Sequence, residues 1–509
     1  MSLALVHSRA IDGLDAPQVT VEVHISTGLP RVHLVGLPEA EVREARERVR
    51  AAIQTANFEF PQAVLTINLA PADLPKEGGR FDLPIALGIL AASGQIPAEA
   101  LAGHEFVGEL SLTGQLRAVR GALPLALAVA RAQRPLVLPQ ANAQEAALAL
   151  EATILPADSL LAVCAHLTGS APLVPCPCAR PQQTQQYPDL ADVKGQSAAR
   201  RALEIAAAGR HSLLLFGPPG SGKSMLAQRL PGLLPPMRDA EALESAAVLS
   251  LDGSFDPQRW ACRPFRAPHH SASVPALVGG GATPRPGEIS LAHQGVLFLD
   301  ELPEFDRRVL EALREPLENG QITVSRAQGR NEFPARFQLV AAMNPCPCGY
   351  LGHPTRPCTC GRRAAAQYLN RVSGPLLDRF DLHIEAAPVT FDDLSSSAPE
   401  ESSAEIRKRV VAARAIQNER FKGTPITCNA RITPDKLAVF CPMTDKAKAR
   451  LKAVFEKLGL SARAYDRLLK VARTCADLRH AEVIDEHHIA EAVQYRTLDR
   501  KYWQLPSGG

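Results

Sequence analysis

The segment HSLLLFGPPGSGKSMLAQRL at 211–230 limits the possible folds more than any other part of the chain. An apolar run, LLLF, leads into a glycine-rich loop and then into a helix, the context in which the pattern G-x-x-x-x-G-K-S/T is informative. Its glycines let the backbone wrap N–H groups around phosphate oxygens, and the helix N-terminus adds its positive dipole end. The segment predicts an α/β core that binds ATP through Gly217, Pro218, Pro219, Gly220, Ser221, Gly222, Lys223 and Ser224.

Two more apolar runs end in polar residues that suit catalysis beside such a loop. GVLFLDE ends in Asp300 and Glu301, and FQLVAAMN ends in Asn344. We expect Lys223 to contact the β- and γ-phosphates, and Ser224 and Asp300 to bind Mg²⁺. We expect Glu301 to polarise the attacking water and Asn344 to orient it. Without the phosphate loop, the two acids would indicate only the start of a helix.

The length and composition set the class of protein. A chain of 509 residues is too long for one hydrophobic core, so several domains are expected. A hydrophobic content of 46% and a charged content of 21% are typical of a globular protein. The net charge is only +3, so any nucleic-acid surface must come from local arginine clusters.

Changes in pattern along the chain predict four segments. Residues 1–168 alternate short apolar strands with helical stretches, which indicates an α/β domain. Residues 169–190 are rich in Pro and Gln and read as a linker. Residues 191–395 form the predicted ATPase core, with a cysteine-rich insert at 344–363, and residues 403–500 read as an almost wholly helical C-terminal domain.

The cellular location is predicted from what the sequence lacks. No apolar run reaches the roughly 20 residues that a bilayer requires, and the N-terminus has no signal-peptide pattern. Eleven cysteines, an odd and unevenly clustered number, do not resemble a secreted disulfide framework. We expect a cytoplasmic protein that has no membrane contact and whose clustered cysteines are free or metal-bound.

The insert contains two C-x-C pairs, Cys346 with Cys348 and Cys358 with Cys360. Four thiolates suit a closed tetrahedral zinc site, which leaves no position for water and so indicates a structural metal. His353 lies between the pairs and could replace one sulfur. The alternative, reduced thiols in a Gly/Pro-rich loop, stays open.

The three strand-end motifs GPPGSGKS, FLDE and MN occur in the order that resembles a AAA+ ATPase. SGPLLDRFD then places Arg379 where that family has its arginine finger, and SARAYDR places Arg463 in a helical lid, similar to the sensor-2 arginine. The resemblance implies that Arg379 acts on ATP bound by the neighbouring subunit, which requires a ring.

RPFRAPHHSASVPALVGGG and PRPGEISLAHQGVLFLDELPEF resemble the magnesium-chelatase-like branch of AAA+ proteins. The order of segments resembles the YifB/ComM competence family along nearly the whole chain. That resemblance implies a homo-hexameric helicase that acts on single-stranded and branched DNA and promotes branch migration during homologous recombination in natural transformation. The alternative is a chelatase-type motor that remodels a protein partner.

LENGQITVSRAQGRNEFPARFQLV reads as a β-hairpin, and in this branch such hairpins point into the ring pore. Arg326 and Arg330 near its tip would contact DNA phosphates. Arg263 and Arg266 are further candidate DNA contacts in the segment that contains the pair His269-His270. We interpret this pair as part of a pore loop rather than as metal ligands.

LPKEGGRFDLPIALGILAASG and FVGELSLTGQLRAVRGALPLALAVA resemble the Lon-protease domain. In that alignment the nucleophilic serine falls at Arg80 and its activating lysine near Leu123. Neither side chain can act as nucleophile or base. The resemblance therefore implies a Lon-protease-like N-terminal fold without peptidase chemistry, and it disfavours a third interpretation, an ATP-dependent protease.

Overall fold

The computed structural model describes residues 2–36, 40–178, 180, 187–280, 284–326, 329–353, 355–388, 395 and 400–496. Two large β-sheets organise these residues, a mixed sheet before residue 158 and a parallel sheet between residues 213 and 385. The helices after residue 402 pack on the second sheet rather than forming a separate core.

The first half contains seven described strands in one sheet and a small two-stranded ribbon, β6–β7. The strands are β1 (Ser2–Arg9), β2 (Gln18–Ser26), β3 (Arg31–Val35), β4 (Val64–Ala70), β5 (Glu105–Phe106), β6 (Glu109–Leu110), β7 (Leu116–Arg117), β8 (Leu136–Pro139) and β9 (Ile154–Ala157). The sheet order is β3-β4-β2-β1-β5-β8-β9, antiparallel at β1–β2 and β2–β4 and parallel elsewhere. Val19, Val21 and Val23 occupy alternate positions of β2, and all three are buried, as a strand with one face on the core requires.

The helices of this half cover the mixed sheet. They are α1 (Ala40–Thr55), α2 (Asp82–Ala92), α3 (Ala122–Ala132), α4 (Ala143–Ala146) and α5 (Leu160–Leu167). Every residue of α2 is buried, because β1 and β2 lie on one side of it and α1 on another. A sequence that is apolar on all faces, DLPIALGILAA, suits that position.

The second half contains a sheet of five described strands in the order β11-β14-β17-β10-β18, and every neighbouring pair is parallel. Its strands and those of two small hairpins are β10 (Leu213–Phe216), β11 (Phe265–Arg266), β12 (Gly279–Gly280), β13 (Arg285–Pro286), β14 (Val296–Leu299), β15 (Gln321–Arg326), β16 (Gly329–Pro334), β17 (Gln338–Met343) and β18 (Leu382–Glu385). Strands β10, β14 and β17 are buried at every position, because helices and loops cover both faces of the sheet.

Helices surround this parallel sheet and continue to residue 494. They are α6 (Ser197–Gly209), α7 (Lys223–Leu233), α8 (Asp239–Asp252), α9 (Val274–Val278), α10 (Glu288–Leu291), α11 (Arg307–Ala312), α12 (Arg314–Asn319), α13 (Gly361–Leu369), α14 (Gly374–Leu377), α15 (Ser403–Arg420), α16 (Leu437–Phe440), α17 (Asp445–Leu458), α18 (Ala462–Leu478) and α19 (Glu486–Gln494). Helices α6, α7, α15, α18 and α19 share one hydrophobic core with one face of the sheet.

A shared hydrophobic cluster joins the two halves. Leu123 and Ala126 of α3 pack in it with Ala242 and Ala246 of α8. The Gly121 N–H also donates to the Ser250 carbonyl at 3.0 Å. The N-terminal half is therefore fixed against the helix that precedes the segment with the histidine pair.

Among the helices of the described ranges, none is both long and apolar enough to cross a bilayer.

Candidate ATP site

The parallel sheet brings the predicted site residues to one edge. Phe216 of β10 is opposite Met343 of β17, and Leu299 of β14 is opposite Ala341. The residues that follow these three strands therefore leave the sheet at the same carboxyl edge, where parallel α/β sheets bind ligands. The Gly217 N–H donates to the Met343 carbonyl at 3.2 Å, which ties the start of the loop to the end of β17.

The loop at 217–224 needs its glycines. Gly220 and Gly222 have φ values of 78° and 81°, in the left-handed region that a side chain disfavours. A Cβ on Gly217 would lie 2.4 Å from the carbonyl oxygen of Ala386. The loop thus packs too closely on the end of β18 for a larger residue.

Lys223 is buried at the centre of this loop. Its Nζ donates to the carbonyls of Gly217 and Pro218, each at 2.8 Å, and to Asn344 Oδ1 at 3.1 Å. Burial lowers the pKa of Lys223 to about 8, although the nearby Asp300 carboxylate opposes this effect. The structure thus places two predicted residues, Lys223 and Asn344, in direct contact.

Ser224 and Asp300 also meet. Ser224 Oγ donates to Asp300 Oδ2 at 2.6 Å, and Asp300 Oδ1 accepts the Glu301 N–H at 2.9 Å. A hydroxyl and a carboxylate lie side by side at the start of a helix. They fit Mg²⁺, whose oxygen ligands in proteins usually come from one or two carboxylates and the phosphates of a nucleotide.

Glu301 has a partner that the sequence interpretation did not identify. His270 Nδ1 lies 3.2 Å from Glu301 Oε2, and the His270 ring meets the edge of Phe305 at 6.5 Å between centroids. His270 follows β11, the strand beside the one that ends before Asp300. That adjacency was the signal that could have placed the histidine pair at the ATP site. Glu301 itself has a φ of 53°, so its backbone is in the left-handed region.

Arg379 and Arg463 lie together in a different place. They line one cavity of about 370 Å³ with Arg210, Arg467 and Lys470, and no residue of the loop at 217–224 is among its described lining residues. Arg379 donates to the Pro375 carbonyl at 2.8 Å and pairs with Glu318. Burial lowers the pKa of Arg210 to about 10, and neighbouring arginines contribute to the shift. The structure thus separates this cationic cavity from the phosphate loop of the same chain.

Arg467 is a second residue that the sequence interpretation missed. It donates to the Arg379 carbonyl at 2.6 Å and to Asp381 Oδ1 at 2.7 Å. Helix α18 therefore holds the backbone of Arg379 in position.

The predicted cysteine group forms in space. The Sγ atoms of Cys346, Cys348, Cys358 and Cys360 all lie within 4.8 Å of one another. Cys346 Sγ is 3.4 Å from that of Cys348 and 3.6 Å from that of Cys358. A tetrahedral site with Zn–S bonds of about 2.3 Å separates its sulfurs by about 3.8 Å, so the cluster is compatible with zinc.

His353 is outside this cluster. Its Nδ1 accepts the N–H groups of Thr355 and Arg356 at 3.2 and 3.0 Å. The ring therefore closes a turn, and the four sulfurs make the compatible ligand set without it.

The candidate DNA contacts have different environments. The Arg263 side chain is only 10% exposed and donates to the carbonyls of Pro235 and Gln294. Arg266 forms a two-bond ion pair with Glu288, at 2.6 and 2.5 Å. Both guanidinium groups have internal partners, and contact with DNA by either residue stays a prediction. Sequence could not show this, because the partners come from other segments.

The predicted hairpin is confirmed as the β15–β16 pair. The Arg330 side chain is 68% exposed and pairs with Glu332 at 3.3 Å, which leaves most of it open to solvent. The side chain of Arg326 lies outside the described residues. Asn331, with its amide oriented to satisfy both neighbours, donates to Asp12 and accepts the Gly13 N–H at 3.0 Å. The N-terminal half thus contacts the hairpin beside Arg330, in the half of β16 that is nearer the tip.

The positions expected for Lon chemistry are occupied by packing residues. Leu123 is completely buried in the cluster between the halves. Arg80 Nε donates to the Glu77 carbonyl at 3.2 Å.

Comparison with known proteins identifies the family of this chain. Three family models match the chain: "Magnesium chelatase, subunit ChlI" at residues 189–394, "Subunit ChlI of Mg-chelatase" at 21–142 and "Magnesium chelatase, subunit ChlI C-terminal" at 400–496. The competence protein ComM of Haemophilus influenzae is 52% identical over 513 residues, which cover 99% of both chains. The chain belongs to the YifB/ComM family of magnesium-chelatase-like AAA+ proteins. YifB of Salmonella typhimurium, in the same family, is 53% identical over 506 residues, 98% of both chains.

The magnesium chelatases themselves are more distant. The 38 kDa subunit of Rhodobacter capsulatus is 27% identical over 191 residues, which cover 33% of this chain and 53% of that subunit. Membership of the YifB/ComM family, within the AAA+ proteins, implies ATP and Mg²⁺ as ligands and suggests ATPase activity.

Proposed function

We propose that this protein is an ATP-driven DNA motor, a homo-hexameric helicase that promotes branch migration during homologous recombination in natural transformation. The observation that carries the proposal is that the residues expected to act on ATP lie on two separate surfaces of the chain. Lys223, Ser224 and Asp300 meet at the edge of the parallel sheet, and the cavity with Arg379 and Arg463 lies elsewhere.

At the first surface, the loop N–H groups and Lys223 bind the ATP phosphates, and Ser224 and Asp300 hold Mg²⁺. Glu301 accepts the proton of the attacking water, and Asn344 orients that water. The Asn344 amide is well placed for this role, since it already contacts the Lys223 ammonium at 3.1 Å.

At the second surface, Arg463 meets the ATP of the neighbouring subunit, and so does Arg379 once it leaves its ion pair with the exposed Glu318. The cavity is lined by six cationic and four acidic side chains, so its net positive charge attracts a phosphate group. Assembly into a closed ring completes each site, and six copies of the hairpin then approach one axis. Arg330 with Arg326 brings positive charge to DNA without sequence preference.

The similarity to ComM over almost its entire length favours a role in competence. A chelatase-type motor that remodels a protein partner is the second candidate, because the family models carry the chelatase name. The small share of the chain that the chelatase subunit matches makes this candidate weaker. Turnover that responds to DNA separates the two. We also propose that the four cysteines hold one structural zinc ion.

The test is an ATPase assay with and without single-stranded and branched DNA, together with a branch-migration assay. We expect DNA to stimulate the wild-type protein. Arg326→Ala with Arg330→Ala should keep hexamer formation and basal turnover but lose stimulation and branch migration, because the phosphate contacts are gone.

A matched control is Arg46→Ala with Arg479→Ala, which removes two arginines that are 56% and 54% exposed and lie outside the hairpin. This control should behave as wild type. Normal branch migration by a well-assembled hairpin variant would remove the hairpin from the mechanism, and turnover that ignores DNA would favour the protein-remodelling candidate.

A further inference from the structure

The cysteine cluster is built onto the phosphate loop. Only Pro345 separates Cys346 from Asn344, whose Oδ1 accepts a hydrogen bond from Lys223 at 3.1 Å. Cys346 is completely buried, so this side of the cluster lies inside the protein, three residues after the end of β17.

A second contact is steric. Gly349, in the turn after Cys348, has a φ of 82°, and a Cβ on it would lie 2.4 Å from Pro219 Cδ. The turn therefore rests directly against the ring of a phosphate-loop proline. The Gly349 N–H donates to the Cys346 carbonyl at 2.9 Å, so the cysteine segment itself sets the shape of this turn.

The far side of the cluster returns to the same strand end. Cys360 is the N-cap of helix α13, which carries the buried Tyr368. Tyr368 packs in one hydrophobic core with Met343, the residue before Asn344. Both ends of the cysteine segment are thus tied to the end of β17, one through the chain and one through a helix.

We infer that zinc bound by Cys346, Cys348, Cys358 and Cys360 fixes the phosphate loop in its ATP-binding shape, so that metal occupancy sets the affinity for ATP. This inference rests on the proposed ATP site and adds that zinc must be bound for the site to have its full affinity. Zinc bound by four sulfurs cross-links residues 346–360 and holds the Gly349 turn on Pro219. Binding requires deprotonated thiols, and the energy of binding goes into ordering the segment.

Loss of the metal frees the segment at both attachments. Pro219 loses its packing partner, and Asn344 loses its fixed position beside Lys223. The apparent affinity for ATP is the intrinsic affinity multiplied by the fraction of time that the loop has its binding shape, so a loop ordered about one-fifth of the time binds roughly fivefold more weakly.

The experiment compares full-length proteins purified without chelators. Zinc is measured by elemental analysis, and the affinity for a fluorescent ATP analogue is measured with Mg²⁺ present. The test variant is Cys358→Ser with Cys360→Ser, both half-buried. The matched control is Cys176→Ser with Cys178→Ser, an identical C-x-C pair outside the cluster.

We expect one zinc per chain in the wild type and in the control. The test variant should lose the zinc and bind the analogue at least about fivefold more weakly. Unchanged affinity in a folded, zinc-free variant overturns the inference, as does a wild type without zinc. A zinc-containing wild type that binds no nucleotide instead refutes the proposed ATP site.

Gly349→Ala keeps the inference testable if the serine variant does not fold. It retains all four thiols but pushes the turn against Pro219, so it should keep its zinc and lose affinity. Wild-type affinity in a folded Gly349→Ala protein would show that the turn does not control the loop. Circular dichroism and thermal unfolding establish folding in each case.

Discussion

The pKa of Lys223 predicts how ATP affinity depends on pH. Burial lowers this pKa to about 8, well below that of an ordinary lysine. The charged ammonium is the form that attracts phosphate oxygens, so bound ATP raises the pKa again. The affinity for ATP therefore has its full value below the pKa that Lys223 has in the free protein. It falls as the pH rises above this pKa and levels off above the pKa that Lys223 has in the complex.

The magnitude follows from the fraction of the free protein that is protonated. An amine with a pKa of about 8 is roughly nine-tenths protonated at pH 7, about half at pH 8 and about one-tenth at pH 9. The dissociation constant should therefore rise about twofold from pH 7 to pH 8 and about tenfold from pH 7 to pH 9. A lysine with the ordinary pKa of about 10.4 would give almost no change over this range.

The assay is equilibrium binding of a fluorescent ATP analogue with Mg²⁺, in a Glu301→Gln background that prevents turnover. The control is Lys223→Arg, whose guanidinium remains charged throughout, so its weaker binding should not vary with pH. A flat profile for the lysine protein between pH 7 and pH 9 would refute the reasoning, as would an equal decline in both proteins.

Two further outcomes are expected. Glu301→Gln should bind ATP normally and hydrolyse it at least about a hundredfold more slowly, because only the proton acceptor is lost; equilibrium binding and phosphate release measure this, and near-normal turnover would show that another residue is the base. The pure protein should not degrade casein with or without ATP, because the resemblance to the Lon-protease domain places its serine at Arg80 and its lysine near Leu123; ATP-dependent cleavage that disappears when the N-terminal half is mutated would contradict this.

The sequence was sufficient wherever the signal is local. The phosphate loop is recognisable because strand, loop and helix lie within twenty consecutive residues, and only glycine tolerates the φ values at Gly220 and Gly222. The β15–β16 hairpin was also predictable from two short strands around a tip. Four cysteines in two C-x-C pairs indicate a metal cluster by their chemistry alone.

Contacts between distant segments could not be predicted in the same way. Arg263 and Arg266 have the chemistry of DNA contacts, yet each guanidinium also hydrogen-bonds a residue of another segment, Gln294 for Arg263 and Glu288 for Arg266. His270 looked like part of a loop, and only the pairing of β11 with β14 brings it to Glu301.

The sequence by itself determined which residues have the chemistry to bind phosphate, Mg²⁺ and zinc, because that chemistry belongs to side-chain types and to local backbone shape. Only the tertiary structure decided which of them act together. It joined Lys223 to Asn344 across 121 positions, placed Arg379 in a cavity away from the loop, and set Gly349 against Pro219. The physical reason is that the order of strands in a sheet depends on how whole faces are buried, which short sequence motifs do not encode.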